Sequence, residues 1–322
     1  MDDREVILMR RRDFLARTAG GLAAVAMVRA GEPRRDTAPD AGIPGAGDKR
    51  RRIAISTWSL HQYFSATRGK SSALPGEMLE LLDFPAMIAD RYKIHHLEFV
   101  APHFGSVEPS YLKDLKERLT KAHSHLVNIP VDIPELHKGG GLSDPDDTVR
   151  AAGIAGAKKW IDIGAELGTR AVRCDPGRMK PENLAPTIDS YKQLAAYGKA
   201  KGVDVIIENH GGVGSERPEE LVKLFQGVGQ DFKGALPDFA NFPDEPTRER
   251  GLKLLFPYAR VVCHAKGLEF DAQGNETRFN FPKCMEISKQ AGFQGIYSIE
   301  FEGPGDPYLG VQKTLDELLR HL

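Results

Sequence analysis

Cysteine is scarce in this chain: 322 residues carry only Cys174, Cys263 and Cys284. So sparse and odd a count argues against a disulfide framework as the source of stability. Charge of one sign is also missing. The 44 basic residues meet 45 acidic ones, for a net charge of −1. That balance supplies no broad basic field for a nucleic-acid backbone, and no nucleic-acid partner is expected. A glycine-rich dinucleotide fingerprint is absent as well. Behind the first strand-like run, Arg52–Trp58, stand Ser59-Leu60-His61-Gln62-Tyr63, which argues against a doubly wound nucleotide-binding sheet. What remains is ordinary globular composition, with 41% apolar residues. The length suits one large α/β barrel, typically about 250 residues, plus a leader.

The leader has its own pattern. Arg11-Arg12 is followed by Asp13-Phe14-Leu15 and then by a mildly apolar stretch, Thr18 to Val28. Residues 1–30 resemble a twin-arginine export signal, with Val28-Arg29-Ala30 as a small-residue cleavage site. Export to the periplasm is the expectation this carries. The bland alternative is an amphipathic N-terminus without a fold. The apolar stretch is shorter than the roughly 20 residues a membrane span needs, so no stable membrane anchor is expected. Residues 31–49 are rich in Pro, Gly, Ala and Asp and read as a linker.

From residue 50 to 322 the pattern alternates. Strand-like runs lie at Arg52–Trp58, Ile94–Val100, His125–Val131, Arg170–Cys174, Val203–Glu208, Lys233–Asp238, Arg260–His264 and Gly295–Phe301. Helical periodicity fills the intervals and the C-terminus, with Gly168, Gly202 and Gly292 placed as left-handed helix ends. Strand and helix repeated eight times predict an α/β fold of the (β/α)8 TIM barrel type. Gly139-Gly140-Gly141 follows the third strand and is read as a candidate lid over the mouth.

In such a barrel the C-terminal strand ends converge. Here they carry Glu208, Asp238, His264 and Glu300, on the fifth to eighth strands. Three carboxylates and an imidazole so placed would repel one another unless a cation lay among them. Cys263, beside His264, takes the opposite face and is read as a buried structural thiol. Around the same mouth His210, Asn241, Lys266, His103, Trp58 and Glu302 are candidate substrate-binding residues. His61, Glu98 and Asn128 lie near it too, Glu98 as a structural partner rather than a base. Each of these alone could equally be a solvated or structurally satisfied side chain.

The segments IleIleGluAsnHis, AspPheAlaAsn, HisAlaLys and SerIleGluPheGlu, in that order, resemble the sugar phosphate isomerase/epimerase family of xylose isomerase-like barrels over residues 51–322. The resemblance implies one divalent metal ion held by Glu208, Asp238, His264 and Glu300. It also implies that Glu208 and Glu300 both ligate the ion and move the proton. Oxygen donors with one imidazole suit Mn2+, Co2+, Mg2+ or Zn2+. Asn241 stands where some relatives carry His, so its part is open. The expected activity is an exported, metal-dependent sugar isomerase or epimerase that abstracts a proton beside a carbonyl through a metal-stabilised enediolate. Two alternatives stand beside it: a metal-dependent lyase or hydrolase of 3-keto-glycosides, and a non-catalytic carbohydrate-binding barrel. An abasic-site endonuclease shares the barrel but wants a basic groove and ranks last. The partner is a small-molecule sugar or sugar derivative; a homo-oligomer is left open.

Overall fold

The computed structural model describes residues 49–68 and 78–322. The expected signal and almost all of the expected linker lie outside the described residues. Eight parallel strands form the sheet: β1 Ile53–Ser56, β2 His96–Glu98, β3 His125–Val131, β4 Ala171–Cys174, β5 Asp204–Glu208, β6 Ala235–Leu236, β7 Val262–Gly267 and β8 Ile296–Phe301. Their order is β6-β5-β4-β3-β2-β1-β8-β7, and isolated parallel bridges, Ala235 with Ala259 and Asp238 with His264, join the two ends. Ten helices accompany the strands: α1 Phe84–Tyr92, α2 Pro109–Lys121, α3 Pro134–His137, α4 Asp147–Leu167, α5 Ala185–Lys201, α6 Gly212–Glu216, α7 Pro218–Val228, α8 Glu245–Leu255, α9 Phe281–Gln290 and α10 Pro307–His321. This is a nearly closed (β/α)8 barrel, as the alternation predicts.

The sixth strand is shorter than the expected Lys233–Asp238. Pro237 has no N–H to give to a ladder, so regular pairing ends at Leu236. The chain recovers one bridge beyond it: His264 N donates to the Pro237 carbonyl at 2.9 Å, and Phe239 N donates to the His264 carbonyl at 3.1 Å. That bridge sets Asp238 beside His264.

Strand parity sorts the barrel into two environments, because residues two apart share a face. The outward set, including Ile55, Val172, Cys174, Val205, Ile207, Cys263, Ala265, Tyr297 and Ile299, joins the large core under the helices. Cys263 is fully buried there, where its alternation with His264 puts it. The inward set is apolar low in the barrel: Ala54, Val127 and Ile296 form one small cluster, and Ala171, Ile206, Leu236, Val261 and Val262 another. Two residues beyond Ala54, Ala171, Ile206, Leu236, Val262 and Ile296 the same face turns polar: Ser56, Arg173, Glu208, Asp238, His264 and Ser298. Two further again on β7 and β8 come Lys266 and Glu300. The floor is hydrophobic and the mouth is ionic.

Helix ends follow local chemistry. Asp146, Asp244, Asn280 and Asp306 accept hydrogen bonds from backbone N–H groups in the first turns of α4, α8, α9 and α10, which satisfies donors the helix leaves free. The Gly139–Gly141 segment differs from the lid expectation. Gly141, Leu142 and Ser143 are buried. Ser143 Oγ donates to the Pro176 carbonyl at 2.6 Å, and Ser190 Oγ donates to the Leu142 carbonyl at 2.8 Å. The segment is a tie between the third and fourth barrel units.

Candidate metal centre

Four strand ends meet at one point. Glu208, Asp238, His264 and Glu300 each offer one donor atom, and these atoms all lie within 4.8 Å of one another. All four side chains are buried. His264 sets the geometry. Its Nδ1 lies 3.0 Å from Glu208 Oε1, 3.3 Å from Glu300 Oε2 and 3.7 Å from Asp238 Oδ2. Its Nε2 points the other way, 3.1 Å from Glu98 Oε1. Glu98 is fixed in turn by Asn128, whose Nδ2 donates to Oε2 at 2.9 Å. A carboxylate behind an imidazole sets the ring's orientation and makes the opposite nitrogen a better donor to a cation. Nδ1 is therefore the atom that would ligate a cation at the shared point.

The donor set fits a hard or borderline divalent ion. Asp238 gives a further test. Its Oδ1 accepts the backbone N–H groups of Ala240 and Asn241, both at 2.7 Å. Its Oδ2 is buried and has no hydrogen bond among the described residues. A buried carboxylate oxygen without a hydrogen bond is costly; this one faces the shared point of the cluster, with the Lys266 ammonium near it, at 3.4 Å. The residues present fit a bound cation.

Two buried cations border the carboxylates. Lys266 Nζ lies 3.4 Å from Asp238 Oδ2, 3.4 Å from Glu300 Oε2 and 3.2 Å from Glu302 Oε2. Arg173 Nη2 lies 3.1 Å from Glu208 Oε2, and its Nη1 lies 3.9 Å from Asp175 Oδ2. Sequence reasoning singled out neither Arg173 nor Asp175. The available signal was parity: Arg173 follows Ala171 by two on β4 and so faces inward, just before an Asp-Pro turn.

The charges make the carboxylates unequal. Burial drives the Glu300 carboxyl up to about 7, and Glu208 and Glu98 push the same way against His264 and Lys266. Asp238 is raised by burial as well, with Lys266 opposing. Burial acts upward on Glu208 too, yet His264 and Arg173 outweigh it and hold Glu208 well below the usual carboxylate range. For His264 burial favours the neutral ring, but Glu300, Glu98 and Glu208 raise it well above an ordinary imidazole.

The other expected residues fall into three places. Asn241 is in the cluster: Nδ2 donates to Glu208 Oε1 at 3.1 Å, and Oδ1 accepts from Lys266 at 3.3 Å. Trp58 and Glu302 form the rim, with Trp58 Nε1 donating to Glu302 Oε1 at 2.5 Å. Trp58 is partly exposed and stacks on His61 with ring centroids 4.7 Å apart. His210 stands beyond the end of β5, half-exposed, with Nδ1 3.1 Å from Asp175 Oδ2. It borders a cavity of about 340 Å³ that Glu208, Asp175 and Arg178 also line. His103 lies behind the rim, stacked on Trp58 with ring centroids 6.4 Å apart. It is buried face to face with Phe64 at 3.9 Å between centroids, and its Nε2 lies 2.8 Å from Thr67 Oγ1. Burial, with His61 adding to it, lowers that imidazole to about 3 and keeps it neutral. The sequence placed His103 near the mouth but could not show that the short turn after β2 packs its ring inward.

Fold and site define a class: a parallel (β/α)8 barrel with a buried carboxylate–imidazole cluster at its C-terminal mouth. The chain belongs to the xylose isomerase-like TIM barrel family, whose model matches residues 89–322. No curated protein matches it. Among solved structures it is similar to a D-tagatose 3-epimerase-like protein, with 18% identity and a TM-score of 0.61 over 84% of this chain and 97% of that one. It is also similar to a xylose isomerase-like TIM barrel protein from Mycobacterium smegmatis in complex with magnesium, with 14% identity and a TM-score of 0.58 over 84% and 96%. The IOLI protein with a binding zinc atom gives 13% identity and a TM-score of 0.62 over 84% and 97%. At these identities the likeness is one of fold.

Proposed function

We propose that this protein is a divalent-metal-dependent sugar isomerase or epimerase. The observation that carries the reading is the clustering of Glu208, Asp238, His264 and Glu300 within 4.8 Å, together with the buried Asp238 oxygen that lacks a hydrogen bond. Family membership agrees, and the D-tagatose 3-epimerase-like structure shares the fold. A bound divalent ion would polarise the carbonyl and hydroxyl oxygens of a keto sugar, which acidifies the hydrogen between them.

The chain's own groups do the rest. Glu300 is the residue best placed to take and return a proton, since its carboxylate is the less pinned of the two, with one long hydrogen bond from Ser56 and a share of Lys266. Glu208 addresses the substrate from across the cluster; Arg173 and Asn241 hold its two oxygens in place. Asp238 and His264 chiefly hold the ion. Lys266 donates toward the carboxylates and holds them around the shared point. Trp58 offers an apolar wall at the rim. Export to the periplasm through the signal at Arg11-Arg12 belongs to the same proposal and rests on the sequence alone.

One observation favours the second reading, a lyase of 3-keto-glycosides. The cavity beside Glu208 has room for a group beyond one sugar ring, and His210, oriented by Asp175, borders it. The test separates the two. Mn2+-loaded protein is incubated in D2O with free ketoses and with 3-keto-glycosides. Deuterium incorporation and a changed stereocentre in the ketoses support the isomerase. Release of the aglycone without exchange into ketoses moves the assignment to the lyase. Neither outcome with any sugar would leave a carbohydrate-binding barrel.

A further inference from the structure

The mouth is crowded with negative charge, and its cations are engaged. Six carboxylates form one connected array: Glu98, Asp175, Glu208, Asp238, Glu300 and Glu302. Two buried cations answer them. Lys266 lies within 3.4 Å of three carboxylates, and Arg173 bridges Glu208 and Asp175. A divalent ion on the four ligands adds two charges and obliges His264 to ligate as the neutral ring. The array is then still negative. Among the described residues that line the adjoining cavity, Arg178 is the Lys or Arg side chain and is exposed, and His210 is committed to Asp175 at 3.1 Å. Glu208 and Asp175 border the same space.

A phosphate ester brings nearly two negative charges and needs donors that are free to meet them. Lys266 could turn to one only by leaving three buried carboxylates, and Arg173 only by leaving Glu208. Losing one partner of a buried ion pair is costly. A sugar hydroxyl has no such demand. It both donates and accepts, so it can give hydrogen bonds to the carboxylates while Lys266 and Arg173 keep their partners.

We propose that this site takes an uncharged polyhydroxylated substrate, a free sugar or neutral glycoside, and discriminates against phosphorylated sugars. Glu302 is the specificity-determining residue at the rim: it stands between Trp58 and Lys266 and extends the negative field outward. The inference rests on the sugar-acting reading above and narrows it.

The experiment uses the Mn2+-loaded full chain and pairs each free ketose with its terminal phosphate ester. Calorimetric titration reads binding, and proton exchange in D2O reads turnover. The free sugar is expected to bind more tightly than its ester by on the order of 10²-fold at low salt, and the gap should narrow as ionic strength rises. Glu302→Gln removes one rim charge and should improve the ester several-fold while moving the free sugar less. An ester that binds as well as the free sugar, or better, overturns the proposal; its loss in Arg178→Gln would then place the anion seat on the outer wall. Failure of every ketose and ester to bind also overturns it. Binding of the free sugars without proton exchange sinks the isomerase reading and leaves the charge preference standing.

Discussion

At the residue scale the site divides its four ligands into unequal pairs. Glu208 is pinned by Arg173 on one oxygen and by Asn241 on the other. Glu300 receives one weak hydrogen bond from Ser56 at 3.4 Å and shares Lys266 with Asp238 and Glu302. The looser carboxylate is the one free to move with a proton. Glu300→Gln keeps the size and one ligating oxygen. It should lower turnover on the order of 10²–10⁴-fold, the range for a lost acid–base group, with metal affinity much less affected. Steady-state rates beside a metal titration check this; near-normal turnover with metal bound would pass proton transfer to another group. His264→Ala should do the reverse: metal binding weakens, and part of the activity returns at high metal concentration. Glu98→Gln should weaken metal binding on the order of 10–100-fold, the usual effect of removing a partner behind a metal-bound imidazole. An unchanged metal titration would show that the Glu98 contact does not orient His264.

At the element scale the alternation of strands and helices was legible, and so was the inward face that carries Glu208, His264 and Glu300. Period two, with an apolar floor below each polar end, fixes which side of β5, β7 and β8 faces the mouth. Three features were not legible, for separate reasons. Pro237 clips β6, yet Asp238 still reaches the cluster through a bridge no pattern announces. Arg173 went unread: parity turns it inward, but only the pairing of β4 with β5 shows that it meets Glu208. His103 follows a short turn whose direction depends on Phe64, an aromatic far away in sequence. The Gly139–Gly141 tie misled because glycine marks a special backbone without saying whether it moves. Gly141 has φ +61°, and a Cβ there would stand 2.2 Å from the Leu136 carbonyl. Gly141→Ala should therefore destabilise the fold by about 1–3 kcal/mol, read as a lower denaturant midpoint. An unchanged midpoint would mean the segment is free to move after all.

At the scale of the whole molecule, the proposed metal and protons should compete for one place in the fold. Without an ion, His264 takes a proton to neutralise the carboxylates around it, and its affinity for that proton is well above an ordinary imidazole's. Its folded value exceeds its unfolded value, so it stabilises the metal-free protein fully below the ordinary imidazole range of about 6.5. That contribution fades as pH rises toward the folded value. Glu300 acts in the same sense: its contribution is present below the usual carboxylate range and is lost as pH rises through about 7. The metal-free barrel should thus melt at progressively lower temperature from about pH 6 to pH 9. Metal reverses the trend, because the ion needs the neutral imidazole and ionised carboxylates and so binds more tightly as protons leave. Thermal melts with chelator and with Mn2+ across that range should diverge, the metal-induced gain in Tm growing with pH. Titrations in buffers of different ionisation enthalpy should also show protons released on binding. A metal-induced gain that is constant with pH, with no protons released, would mean that the ion does not sit against His264, and the centre would have to be sought elsewhere in the barrel.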